Sequence, residues 1–280
     1  MSKKKKKNGG TGYVIAIILC LCIAAFAAYR LINILNEYHR GTEEYNSLLD
    51  YTDKVPDGNP VSAGGLSSTS AQSAPDTDPD AQTQGAVPEQ GNLSCPVTAD
   101  FASLQKINGD IVGWIYIGSV GISYPIVQGD DDDYYLHHTF KRQSNSAGSV
   151  FMEYQNRSDF SDPNTIIYGH NMKNGSMFGK LKRLVNDGAY QKNPYFWILT
   201  PQGSLCYRIF SLKKVSVDSD VYSLFSGADD SFVRFAEKMK QESDVATGEM
   251  TFTDQSKIVT LSTCTGDSAR RFVVQGVRVN

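Results

Sequence analysis

Residues 257–279, KIVTLSTCTGDSARRFVVQGVRV, hold two β-rich runs separated by a polar turn. Lys257–Ser262 is dense in β-branched side chains, and Phe272–Val279 repeats the pattern after Thr265-Gly266-Asp267. Short Val-, Ile-, Tyr- and Phe-rich runs bounded by Gly, Pro, Asn or Asp are strand signals. Outward from this pair, similar runs recur at Val112–Ile117, Ile122–Val127, Ser149–Tyr154, Thr165–Tyr168, Tyr195–Thr200 and Leu205–Val217. Two helical patterns interrupt them, Met177–Val185 and Asp229–Glu242, the second with Phe232, Phe235, Ala236 and Met239 on one face. A short helix burying Phe101, Leu104 and Ile107 should precede the first strand, with Thr98 as its N-cap. Eight strands with few helices predict a mostly β fold over residues 94–280, a closed or nearly closed eight-stranded β-barrel with flanking helices, not a βαβ sheet.

Ahead of this domain the chain changes character twice. Lys3 to Lys7 form an unbroken basic run in the segment 1–12, and residues 13–35 read as a transmembrane anchor. Tyr13–Tyr29 (YVIAIILCLCIAAFAAY) carries no charged side chain, and apolar residues continue to Leu35 past a single Arg30. A hydrocarbon core about 30 Å thick needs roughly 20 helical residues, and a terminal Arg can snorkel to the interface. Lysines on the N-terminal flank favour a cytoplasmic N-terminus and an extracellular remainder, a single-pass type II arrangement in the cell membrane. A cleaved signal peptide is the alternative, since Ala25-Phe26-Ala27 resembles a small-residue cleavage site. The apolar stretch, however, outruns a typical ~7–15-residue signal core.

Residues 36–93 read as a juxtamembrane segment and disordered linker. Glu37–Tyr51 could extend the helix by a few turns. Pro56–Asn92 contains no aromatic residue and few large apolar ones, too little to offset its ordering entropy. A coil of that length spans an r.m.s. distance of roughly 35 Å, and it is expected to tether the domain while leaving it free to pivot.

The charge balance, 27 Lys+Arg against 30 Asp+Glu, leaves no excess for coating nucleic acid. Five scattered cysteines, with no CxxC pair, build neither a disulfide scaffold nor a zinc site. Cys20 and Cys22 fall in the apolar stretch, and Cys95 and Cys206 read as structural. Cys264 differs because the Ile258–Thr263 run delivers it to a strand end, with Arg270 and Arg271 opening the next strand. Guanidinium near a thiol lowers its pKa and makes a nucleophile possible; a buried inert cysteine is the plainer alternative.

A cysteine nucleophile usually works with a histidine. Of four histidines, His39 is juxtamembrane and His137 and His138 read as surface or packing residues. His170 stands just past a buried run in Ile166-Ile167-Tyr168-Gly169-His170-Asn171, where Gly169 would permit a sharp exit. Asp130–Asp133 lack the spacing and distal Glu of an EF-hand loop and read as a solvated turn rather than a metal site.

Together these residues resemble a sortase, most nearly one of class B. The resemblance rests on Thr260-Leu261-Ser262-Thr263-Cys264, on Tyr168-Gly169-His170-Asn171 upstream, and on Arg271-Phe272-Val273-Val274 downstream. The order His170…Cys264…Arg271 fits, whereas papain-like enzymes place Cys before His. The helix near Phe101–Ile107, the long helix Asp229–Glu242, Tyr135-Leu136 and Ala147–Met152 are similar to class B as well. The chain departs by carrying Asp132 where class B often has Asn, four residues before Leu136.

The resemblance implies a cysteine transpeptidase. Cys264 would attack the Thr carbonyl of an NPQTN-like sorting motif, His170 would act as general acid and base, and Arg271 would hold the oxyanion or peptide. Leu136, Tyr168, Ser262 and Asp132 would line the peptide groove. Implied partners are sorting-motif surface proteins and the amine of a lipid-linked peptidoglycan precursor, with no cofactor or metal. A pilin-polymerising sortase with a Lys acceptor, a thiol hydrolase and a non-catalytic surface binding module are the alternatives.

Overall fold

The computed structural model describes residues 9–55, 93–264 and 269–280. The Lys3–Lys7 run, most of the expected linker and the Thr265-Gly266-Asp267 turn lie outside the described residues. The chain begins with one continuous helix, α1 (Gly9–Leu48), followed by a 3-10 turn at Leu49–Tyr51 and the short strand β1 (Thr52–Lys54). After residue 93 come β2 (Val97–Ala99), α2 (Phe101–Ile107), β3 (Ile111–Ile117), β4 (Ile122–Val127), α3 (Tyr134–His137), β5 (Val150–Met152) and β6 (Asn164–Tyr168). The C-terminal half holds α4 (Arg183–Asn186), α5 (Ala189–Lys192), β7 (Tyr195–Thr200), β8 (Gly203–Ser216), α6 (Asp230–Gln241), β9 (Ile258–Cys264) and β10 (Arg270–Arg278).

Eight of these strands close into a barrel in the order β10-β8-β7-β3-β4-β5-β6-β9, as the strand pattern predicts. Most pairs are antiparallel; β4–β5 and β6–β9 are parallel. Trp114, Ile115, Phe196, Ile198, Tyr207 and Leu261 are among the residues of the main core. The run Phe272–Val277 is buried throughout instead of alternating, because both of its faces are covered. Phe272 and Val274 enter the main core, while Val273 and Val277 pack with Phe232, Phe235, Ala236 and Met239 of α6. Asp229 starts α6 by accepting the N–H groups of Ser231 and Phe232 at 2.8 and 3.2 Å, a capping interaction that meets two otherwise orphan donors.

Two sequence expectations change in detail. Asp100, not Thr98, caps α2, accepting the Ser103 N–H at 3.0 Å, because Thr98 is held in β2. The expected helix over Met177–Val185 is broken into a 3-10 turn at Phe178–Lys180 and the single turn α4. Met177 stays outside both turns, at φ 52°, with its N–H donated to the Tyr124 hydroxyl at 3.0 Å.

Residues 37–54, read from sequence as a juxtamembrane segment whose first part could extend the helix, pack on the barrel. The C-terminal turns of α1 turn Tyr38, Gly41, Tyr45 and Leu48 inward at helical spacing, with Leu48 fully buried. The Tyr45 hydroxyl donates to the Gly148 carbonyl at 2.6 Å and accepts the Phe140 N–H at 3.3 Å. Glu37 and Glu44 accept the N–H groups of Ser146 and Lys141. β1 then pairs antiparallel with β2, and the Val55 N–H donates to the Pro96 carbonyl at 2.9 Å. The chain therefore leaves at residue 55 and returns at residue 96 at one point. Residues 55–96 do not separate α1 from the barrel, as the expected tether would. Tyr45→Phe should cost about 1–3 kcal/mol of unfolding free energy, since it strands the buried Phe140 N–H; denaturant unfolding of the detergent-solubilised chain checks this.

Candidate active site

The parallel ladder β6–β9 sets Tyr168 beside Ser262, and the Gly169 N–H donates to the Ser262 carbonyl at 3.1 Å. His170 and Cys264 each lie two residues beyond that pair, so the ladder delivers both positions to the same end of the barrel. Across the antiparallel β9–β10 ladder, Arg271 pairs directly with Cys264; Arg270 lies beyond the end of that ladder and pairs with Ser216 of β8. Because successive strand residues alternate faces, Arg271 is the arginine that shares the register position of residue 264.

A buried polar network fixes these strands against one another. The Asn164 side chain donates to the carbonyls of Val221 and Ser223 at 3.1 and 3.0 Å and accepts the Thr260 hydroxyl at 2.7 Å. Gln275 donates to Thr260 in turn, at 3.1 Å. β6, β9, β10 and the connection after β8 are thus tied together by groups whose separation would leave buried donors and acceptors unpaired.

His170 Nε2 lies 2.7 Å from the Leu136 carbonyl oxygen. A carbonyl only accepts, so Nε2 carries the proton and Nδ1 is left to take up or deliver one. The Leu136 carbonyl owes its place to a tight turn: Gly148 has φ +54°, and a Cβ there would lie 2.5 Å from that oxygen. Gly169, expected to permit a sharp exit, serves a different purpose. A Cβ at 169 would sit 2.7 Å from the Phe178 ring, so its absence lets the turn after His170 pack down on β6.

The wall beside this end of the barrel joins the remaining expected residues. The Tyr168 hydroxyl donates to Glu153 Oε2 at 2.9 Å, and its ring stacks on Tyr222 with centroids 6.3 Å apart. The Tyr222 hydroxyl and Ser262 Oγ are hydrogen-bonded at 2.9 Å. Asp132 Oδ1 accepts the Tyr154 N–H at 3.0 Å, which turns its carboxyl towards Glu153. Burial first, and the Glu153 carboxyl second, push the Asp132 carboxyl up to about 7. Burial and the same glutamate push the Tyr168 phenol up.

The acidic run is therefore more ordered than a solvated turn. Asp131 Oδ1 accepts the N–H groups of Asp133 and Tyr134 at 3.0 and 2.8 Å, and Asp132 is half-buried. His138 stacks on Tyr134, with ring centroids 4.2 Å apart, and His137 stays exposed near Asp133, so neither joins His170. Burial pushes the Cys206 thiol up to about 12 and also raises that of Cys95, which keeps both protonated. Glu153 and Tyr222 belong to the same wall but were missed in the sequence. Glu153 lies inside an expected strand, and Tyr222 lies in a stretch without periodicity.

The family model described as Sortase domain matches residues 115–279, the barrel from β3 to β10. The chain belongs to the sortase family. Sortase B of Listeria monocytogenes is 37% identical over 188 residues, covering 66% of this chain and 76% of that protein. A crystal structure of sortase B from Bacillus anthracis superposes with a TM-score of 0.59 at 37% identity, covering 64% of this chain and 82% of that one. The Staphylococcus aureus sortase B–substrate complex gives a TM-score of 0.59 at 30% identity, covering 64% and 84% of the two chains. The relatives are cysteine transpeptidases of class B, and this sortase shares their closed eight-stranded barrel. Sortases act on sorting-motif substrates and cell-wall precursors. Among the described residues, this sortase has one helix long and apolar enough to cross a membrane, near the N-terminus.

Proposed function

We propose that this sortase is a membrane-anchored transpeptidase that cleaves an NPQTN-like sorting motif after Thr and transfers the surface protein to a peptidoglycan amine. The supporting observation is the register that brings positions 170, 264 and 271 to one end of the barrel. The Cys264 thiolate attacks the Thr carbonyl. The tetrahedral oxyanion collapses as the Thr–X bond breaks, and His170 Nδ1 protonates the departing amine. The acyl group then rests on Cys264 as a thioester. His170 deprotonates the incoming amine, which attacks the thioester, forms the new amide and returns the thiolate. Arg271 donates hydrogen bonds to the oxyanion, a preorganised role that typically contributes about 10²–10³ in rate.

The wall formed by Leu136, Asp132, Tyr168 and Ser262 holds the peptide. α1 crosses the membrane as a type II anchor, which keeps catalyst, surface protein and lipid-linked acceptor on one surface and raises their effective concentration. The test uses the full chain in nanodiscs with NPQTN-type and LPXTG-type peptides, with and without glycine or diaminopimelate-type amines, followed by mass spectrometry. An amine-dependent ligated product from the NPQTN-type peptide is expected. Cleavage of neither peptide, with Cys264 still open to alkylation, would overturn the proposal.

A further inference from the structure

Asp132 and Glu153 set two carboxyl groups face to face with few donors to share. Glu153 is 7% exposed. Its Oε2 accepts from Tyr168, but its Oε1 is buried and receives no hydrogen bond from the described residues. Asp132 Oδ1 accepts the Tyr154 N–H, and the rest of its carboxyl meets Glu153. Asp131 on the same loop and the Tyr168 phenol from β6, which itself faces Tyr222, also act on the site. These groups are acidic or neutral and offer no charge to offset two adjacent carboxylates, which would repel each other and leave a buried acceptor unpaired.

We propose that Asp132 and Glu153 share one proton and so form a latch that closes the loop 130–133 onto β5 and Tyr168, making peptide binding proton-linked. The shared proton supplies the donor that Glu153 Oε1 lacks. Glu153 acts through other groups and is a positioning residue, whereas Asp132 belongs both to the latch and to the groove wall, so the tests below read the pH dependence of affinity and not its absolute value. Loss of the proton leaves two like charges in contact. The loop is pushed off Tyr168, and the groove loses the wall on which the peptide rests. This inference rests on the peptide-groove reading above.

The sign follows from the raised pKa of Asp132. The latched form dominates below about 7, and its fraction falls with rising pH above that value. If only this form binds, the peptide dissociation constant rises by about tenfold for each pH unit above the transition.

Two measurements on the full chain in nanodiscs test the latch. The first needs no peptide: infrared difference spectra across the transition should show a protonated-carboxyl C=O stretch that disappears as pH rises and is absent in Asp132→Asn and Glu153→Gln. The second measures binding of the NPQTN-type peptide by calorimetry in a Cys264→Ala background, where turnover cannot intervene. Asp132→Asn donates an amide N–H to Glu153 and keeps the latch closed at every pH, so its affinity should vary less than about twofold where the Cys264→Ala parent loses about tenfold. Glu153→Gln should flatten the profile in the same way, and Glu153→Ala should bind weakly throughout. A missing carboxyl band, or an Asp132→Asn profile that tracks the parent, overturns the latch. A normal carboxyl band with no binding of any sorting peptide instead overturns the substrate reading and leaves the shared proton standing.

Discussion

Cys264→Ala should abolish both peptide cleavage and ligation, a loss of ~10⁴-fold or more, while the barrel stays folded. The chemistry requires a nucleophile that becomes covalently bound to the acyl group, and alanine offers none. Water or an amine could attack the peptide directly, but neither would pass through a thioester, so the acyl-enzyme mass adduct disappears along with turnover. The substitution leaves the backbone ladder untouched: residue 264 pairs with Arg271 through main-chain groups, at the end of β9. Thermal unfolding should therefore match wild type, which separates loss of chemistry from loss of fold. Intact-mass spectrometry after incubation with the NPQTN-type peptide reads the adduct. Turnover above about 1% of wild type in Cys264→Ala would remove Cys264 from the mechanism.

His170→Ala should lower kcat/KM by about 10²–10⁴, the usual contribution of general acid–base catalysis. The Leu136 carbonyl holds the Nε2 proton, so on the proposed mechanism Nδ1 is the nitrogen that exchanges a proton with the leaving and the incoming amine. Alanine removes both steps and leaves the Leu136 carbonyl without its donor. The pH profile of kcat/KM should lose the limb that belongs to the imidazole, and added imidazole should restore part of the rate. A merely structural role for His170 would lower the rate without changing the profile and without rescue.

The barrel was legible because its strands are short β-branched or aromatic runs that stop at Gly, Pro, Asn or Asp, and each run carries its own signal. The positions of Cys264, His170 and Arg271 were legible because each lies at the end of such a run, where the strand pattern itself fixes which end of the sheet they reach. The same locality explains the misses. Tyr38, Gly41, Tyr45 and Leu48 form a stripe whose meaning depends on a partner surface at residues 140–149, a hundred residues away. Met177–Val185 has helical composition, but Met177 is held outside the helical region at φ 52°, with Tyr124 taking its N–H. Glu153 reads as one more strand residue until Tyr168 and Asp132 are placed around it, and the half-buried position of Asp132 cannot be read from four consecutive aspartates.

The clamp between β1 and β2 separates two quantities that a simple tether would link. Contour length between residues 55 and 96 sets how large an excursion the chain makes, but not how far the catalytic end stands from its anchor. That standoff is set by the roughly 13 residues of α1 beyond Leu35, about 20 Å of helix at 1.5 Å per residue. On the anchored reading proposed above, the enzyme works at a fixed height and bearing, as a post rather than a leash. Slack must then come from the substrate: the segment before its sorting motif has to be long and pliant enough to reach a mouth that does not come down to meet it. Shortening the excursion by half should leave turnover of a membrane-bound substrate unchanged, whereas deleting or adding residues in α1 should change it with the period of the helix.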